Sequence, residues 1–172
     1  LGVKPDLISL AKSIGGGIPV AAFGGKREYM DVVVNGQHTH LGTFNGHYLA
    51  MAGIRAVDRL CTPEALQRCE DFNRQALTRI SEIINEYEIP AHTVGFGVKG
   101  CITWSPNPVR NYRDYKATDF DIAELSFFWS LNRNVMTPPG LDEQWLISLA
   151  HGQKEIDIIV GDFLEFAQAL RA

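Results

Sequence analysis

Apolar residues in the second half of the chain recur at three- and four-residue steps. Leu66, Cys69, Ala76, Leu77, Ile80, Ile83, Ile84 and Tyr87 form one such series, the repeat of a single helix face. Thr62-Pro63-Glu64 supplies its start, with a hydroxyl N-cap, a proline at the first helical position and an acid in the first turn. Pro90 supplies its stop. Ile156, Ile159, Val160, Phe163, Phe166, Ala167 and Leu170 make a second stripe, in a last helix that begins at Gly152 and Glu155. Thr118-x-x-Asp121 reads as a capping box before a helix from Ile122 to Asn134. In the first half, Arg27 to Val34 reads as a short helix ended by Asn35-Gly36. His47 to Leu60 reads as a longer one, whose small residues Ala50, Ala52, Gly53 and Ala56 let a neighbouring element pack closely. Short apolar runs predict strands at Leu7–Ala11, Pro19–Phe23, His92–Val94, Cys101–Trp104, Val135–Thr137 and Trp145–Leu149, the last two flanking Pro138-Pro139-Gly140. Ser105 to Lys116 reads as a long polar loop.

Gly95-Phe96-Gly97-Val98-Lys99-Gly100 matches the letters G-x-G-x-x-G. A dinucleotide site needs a helix directly after those glycines, aimed at the pyrophosphate. Cys101-Ile102-Thr103-Trp104 is strand-like instead, so the segment reads as a glycine-rich hairpin. The character of the chain changes near Thr62. Residues 1–61 hold strand, lysine, glycines and loop; residues 62–172 alternate helices with short strands and suggest a small α+β layer.

The 172 residues carry a net charge of −4, with Lys and Arg scattered along the chain. That argues against nucleic acid or an anionic membrane as the main partner. No apolar run is long enough to span a bilayer, and no signal peptide is visible. Cys61, Cys69 and Cys101 form no C-x-x-C pair. A sparse, odd count suits free thiols in a reducing, cytoplasmic setting, and Cys69 falls on the apolar helix face as a buried thiol. His38 and His40 have no carboxylate or cysteine nearby, so no metal site is expected there.

The chemistry concentrates at Lys12. It ends the run Leu7–Ala11 and is followed by Ser13-Ile14-Gly15-Gly16-Gly17-Ile18-Pro19. A buried strand would deliver the lysine at its end, beside glycines that let backbone approach a ligand. Such a lysine serves as an amine nucleophile when desolvation or a nearby cation lowers its pKa. By spacing alone it reads equally as a solvated lysine at a strand–turn boundary. A phosphate site at Gly15–Gly17 would reverse the P-loop order, in which glycines precede the lysine.

Asp6 to Pro19 resembles the cofactor-lysine segment of the class-III aminotransferases, which are fold-type-I pyridoxal-phosphate enzymes. Gly24-Gly25-Lys26-Arg27-Glu28-Tyr29-Met30 looks like the continuation typical of the glutamate-1-semialdehyde aminomutase branch. Gly42-Thr43-Phe44-Asn45-Gly46, followed by Leu49-Ala50-Met51-Ala52, is similar to the family's second phosphate-side motif, and Ser148-Leu149-Ala150-His151 also looks like that branch. The resemblance is specific in the first sixty residues and looser beyond. It implies an α/β fold of type I, with 1–61 the end of the large cofactor domain and 62–172 a small C-terminal α+β domain. It implies pyridoxal 5'-phosphate bound to Lys12 as a Schiff base. Thr43, assisted by backbone near Gly42, would donate to the phosphate in the neighbouring subunit of a homodimer. Lys26 and Arg27 read as a solvated helix start rather than phosphate ligands.

The implied activity is amino-group transfer on a small amino acid or amino aldehyde, by a transaminase or an aminomutase. One departure is His47-Tyr48, where the family usually has Asn-Pro. The acid for the pyridine nitrogen, the first phosphate loop and the ring-stacking aromatic are expected upstream of Leu1, so the segment alone would lack most of the site. The alternative is a non-catalytic binding fragment derived from such an enzyme.

Overall fold

The computed structural model of the protein describes residues 2–139 and 144–171. The chain forms two compact units, 1–62 and 63–172.

The first unit opens with strand β1 (Leu7–Leu10), a single 3-10 turn (Lys12–Gly15) and strand β2 (Ala22–Gly25). The strands pair antiparallel, from Leu7 opposite Gly25 to Leu10 opposite Ala22. Gly24 and Gly25 thus lie inside β2 rather than after it, shifting the strand expected at Pro19–Phe23. The register demands this, because a Cβ on Gly25 would lie 2.2 Å from the Asp6 carbonyl oxygen. Helix α1 (Arg27–Val34) follows, and after a polar loop α2 (Tyr48–Leu60), with His47 as its N-cap. The apolar run predicts a buried β1. The strand is instead exposed along its whole length, and an open cavity separates its Ser9–Leu10 end from α1 and α2.

The second unit has a core of its own. Helix α3 (Pro63–Glu86) runs to a hairpin of β3 (His92–Phe96) and β4 (Lys99–Thr103). Short helices α4 (Tyr112–Lys116) and α5 (Phe120–Asn132), strand β5 (Trp145–Leu146) and helix α6 (Gln153–Arg171) complete it. The antiparallel sheet has the order β3-β4-β5. Cys69, Ala76, Ile80 and Ile84 of α3 meet Ile156, Val160, Phe163 and Phe166 of α6 in one apolar cluster with Trp104. Full burial of a side chain such as Ile80 or Ile156 contributes about 2–3 kcal/mol. The α3 and α6 stripes are therefore core, as their spacing predicts, except at their outer ends, where Leu66 and Leu170 are exposed.

Three sequence expectations change here. Asn111 accepts the N–H groups of Arg113 (2.9 Å) and Asp114 (3.2 Å), so a short helix interrupts the polar loop. The N-cap of α5 is Asp119, whose carboxylate accepts the Ile122 N–H at 3.1 Å. Thr118, the expected cap, instead buries a hydroxyl without a partner among the described residues. Val135–Thr137 is not a strand. The Val135 N–H is consumed by Ser130 O (2.9 Å) and the Asn134 N–H by Leu131 O (3.1 Å), with Asn134 at φ +61. That pattern is a Schellman helix end. Gly140, in the expected turn before β5, lies outside the described residues.

The G-x-G-x-x-G letters are spent on packing. Gly97 turns the hairpin at φ +58. Gly95 admits Leu77, whose Cδ1 would lie 2.3 Å from an added Cβ, and Gly100 lies under the Trp145 indole. Buried Asn73 locks this arrangement. Its amide donates to Gly97 O (2.9 Å) and Lys99 O (2.8 Å), and its oxygen accepts the Trp145 Nε1–H at 2.8 Å. Among the described residues, no helix is long and apolar enough to cross a membrane.

Candidate active site

Lys12 stands directly after β1, as the sequence predicts, in backbone that no pattern signals. Its φ is +61, the left-handed region that costs a side-chain-bearing residue about 1–2 kcal/mol. Gly16 follows, also left-handed at φ +59, and Gly17 at φ +100 has nothing within 4 Å of an added Cβ. The turn is closed by Gly16 N–H donating to Ser13 O (3.0 Å) and Ile18 N–H donating to Gly15 O (3.1 Å). Lys12 is exposed, contrary to the expectation of burial, because the strand before it is uncovered. Its amine makes no hydrogen bond or ion pair among the described residues.

Lys26 differs in this respect. Its ammonium pairs with the Asp6 carboxylate, and its backbone N–H donates to Asp6 O at 2.9 Å. It also forms the N-cap of α1. Lys26 thus ties β2 back to the start of β1, the role of a half-exposed structural residue at a helix start.

Gly42 and Thr43 begin a double turn leading to α2. Asn45 N–H donates to Gly42 O (3.0 Å) and His47 N–H to Phe44 O (3.1 Å). Thr43 is exposed, and its hydroxyl has no partner among the described residues. Ser9–Ala11, just before Lys12, and Phe44–His47, just after Thr43, help to wall one largely apolar cavity of about 1230 Å³. Neither Lys12 nor Thr43 lines it. Its size exceeds the ~300–1,000 Å³ of ordinary small-molecule pockets, and its walls are strand and helix faces left uncovered within the unit.

Other candidates recede. Burial pushes the Cys101 thiol up, although hydrogen bonds from the Thr103 side chain and the Val94 backbone pull the other way. It is therefore a thiol, not a thiolate, at neutral pH. Cys69 is buried in the α3 face. The His40 ring meets Phe23 edge-on at 4.9 Å between centroids. Among the described residues, no three His, Cys, Asp or Glu gather as metal ligands would.

The family model for class-III aminotransferases matches residues 1–116. The chain belongs to the class-III aminotransferase family. Over 159 residues this class-III chain is 36% identical to a glutamate-1-semialdehyde 2,1-aminomutase 2 of Brevibacillus brevis, covering 91% of the chain and 37% of that protein. It is 33% identical over 161 residues to a glutamate-1-semialdehyde 2,1-aminomutase of Thermus thermophilus, covering 91% of the chain and 38% of that protein. The chain thus spans well under half the length of the curated relatives it matches. Among solved structures, it superposes on a β-phenylalanine aminotransferase from Variovorax paradoxus with a TM-score of 0.87 at 28% identity, covering 98% of the chain and 39% of that one. An ω-transaminase from Sphaerobacter thermophilus gives 0.85, also at 28% identity, over 99% and 40%. The fold is that of a segment of the fold-type-I transferases.

The residues present fit part of a pyridoxal-phosphate site. Lys12 offers an unpaired amine beside open glycine backbone, and Thr43 an unpaired hydroxyl. Asp6, the acid nearest Lys12 in sequence, is occupied by Lys26. What sequence reasoning missed is the left-handed backbone of Lys12. Only glycine, asparagine or aspartate advertises that conformation.

Proposed function

We propose that this chain is the C-terminal part of an enzyme that transfers amino groups with pyridoxal 5'-phosphate, residues 1–61 closing the large domain and 62–172 forming the small one. The observation that carries this reading is Lys12 itself, a free amine in strained backbone at a strand end, within the segment matched by the family. Strained backbone concentrates at functional sites. When bound, pyridoxal 5'-phosphate supplies an electron sink for the electron pair left on the substrate α-carbon. Lys12 Nζ would hold the group covalently, and as a free amine it would accept and return the substrate α-proton as general base and acid. Thr43 Oγ donates to the phosphate in the neighbouring copy of a homodimer, with the Gly42 backbone beside it. The substrate is a small amino acid or amino aldehyde. Three free cysteines support a cytoplasmic setting.

A transaminase needs an external keto acid and an aminomutase does not. The full-length protein, assayed with amino donor in the presence and absence of 2-oxoglutarate or pyruvate, separates the two. In either case Lys12→Ala lowers turnover by roughly a thousandfold or more. An unchanged rate in Lys12→Ala overturns the proposal.

A further inference from the structure

Helix α2 packs on the Lys12 turn, and Gly53 makes that packing possible. A Cβ on Gly53 would lie 2.3 Å from the Gly15 carbonyl oxygen and 3.2 Å from its carbon. Both atoms are backbone, so no side chain can swing aside. The same oxygen accepts the Ile18 N–H that closes the turn. One helical turn further on, Val57 braces Gly16, where an added Cβ would meet Val57 Cγ2 at 3.1 Å. Gly15, at this seam, is one of two buried residues of the described first unit; the other is Ala50, one turn before Gly53 on α2. Glycine in mid-helix weakens a helix relative to alanine. Here it accompanies an approach that only a residue without Cβ allows.

We infer that Gly53 is a positioning residue. Through the Gly15 carbonyl that it lets α2 approach, it fixes where the turn holds the Lys12 amine. The inference rests on the reading of Lys12 as the cofactor lysine.

The test uses full-length protein loaded with pyridoxal 5'-phosphate. Gly53→Ala must part the two backbones by about 1 Å to reach ordinary contact near 3.4 Å. A displacement of that size costs about a hundredfold in rate. The expected result is that borohydride still traps an adduct on Lys12, while the visible circular dichroism of the bound cofactor changes. The kcat falls about a hundredfold with KM held within about twofold. Gly161→Ala, in α6 with nothing within 4 Å of the added Cβ, leaves spectrum and rate unchanged. Val57→Ala trims the brace on Gly16 without a clash. It shifts the same spectrum less, and decides the matter if Gly53→Ala does not fold. An unaltered spectrum and kcat in folded Gly53→Ala, or in Val57→Ala where only that variant folds, overturns the inference. Absence of any Lys12 adduct in the unsubstituted protein overturns the underlying reading instead.

Discussion

At the level of single residues, Lys12 combines two properties that a bland surface lysine would not need. It occupies left-handed backbone, and its amine is left without a protein partner among the described residues. The backbone cost separates from the amine by substitution. Lys12→Gly removes both side chain and strain, whereas Lys12→Ala keeps a Cβ at φ +61. Lys12→Gly is expected to exceed Lys12→Ala in stability by about 1 kcal/mol in urea unfolding. Equal stabilities would mean the turn relaxes freely. The neighbours of Lys12 in sequence, a short apolar run and three glycines, make it legible as a candidate. Its exposure is not legible, because burial depends on what covers β1, whose Leu7, Ile8 and Leu10 the first unit leaves about half exposed. Asn73 is a converse case. Its three buried hydrogen bonds organise the glycine hairpin, yet an isolated asparagine in a helix carries no signal of such a role.

Among the elements, helices follow from period and caps more closely than strands do from apolar runs. A helix stripe is an intrinsic feature of eight or more residues; a strand of two to five exists only through its partner. Thus Trp145–Leu146 pairs with β4, while Val135–Thr137, equally apolar, is drawn into a helix end. Helix α3 ends in the same Schellman geometry, with Ile89 N–H donating to Ile84 O (2.9 Å) and Glu88 N–H to Asn85 O (3.3 Å). Glu88 there sits at φ +47. Glu88→Gly is expected to stabilise the protein by about 1 kcal/mol, net of a weak surface pair with Arg171, as measured by thermal or urea unfolding. The start of α6 depends on pH. The Glu155 carboxylate accepts the Gly152 N–H at 2.8 Å, and this bond, with one from its own N–H, holds its pKa below the usual glutamate value. A lowered carboxylate pKa stabilises the fold above the ordinary value, and the contribution is lost as pH falls through the lowered one. Protection factors at the first turn of α6, taken relative to the intrinsic exchange rate at each pH, should therefore fall on acidification into that range, and Glu155→Gln should abolish most of the dependence.

Across the whole molecule, burial is unevenly divided. Ile80, Ile156, Phe163 and Phe166 give the second unit a closed core, whereas in the first unit Leu7, Ile8, Leu10 and Phe23 remain 45–58% exposed. Hydrogen exchange on the chain of 172 residues should find amides of α3, β4 and α6 strongly protected and those of β1 and β2 close to unprotected. Comparable protection in both units would contradict this division. The same contrast governs what the sequence reveals. The second unit is self-sufficient, so its periodicity maps onto its own packing. The first unit places Lys12 and Thr43 on uncovered elements, so their chemistry is visible in their motifs but their surroundings are not. The functional reading stands or falls with Lys12 as the residue to which the cofactor binds covalently. Borohydride reduction of the full-length protein incubated with pyridoxal 5'-phosphate, followed by peptide mass mapping, examines that bond itself. A reduced adduct on the peptide containing Lys12, absent in Lys12→Ala, is the expected outcome; an adduct confined to other lysines, or none at all, would refute it.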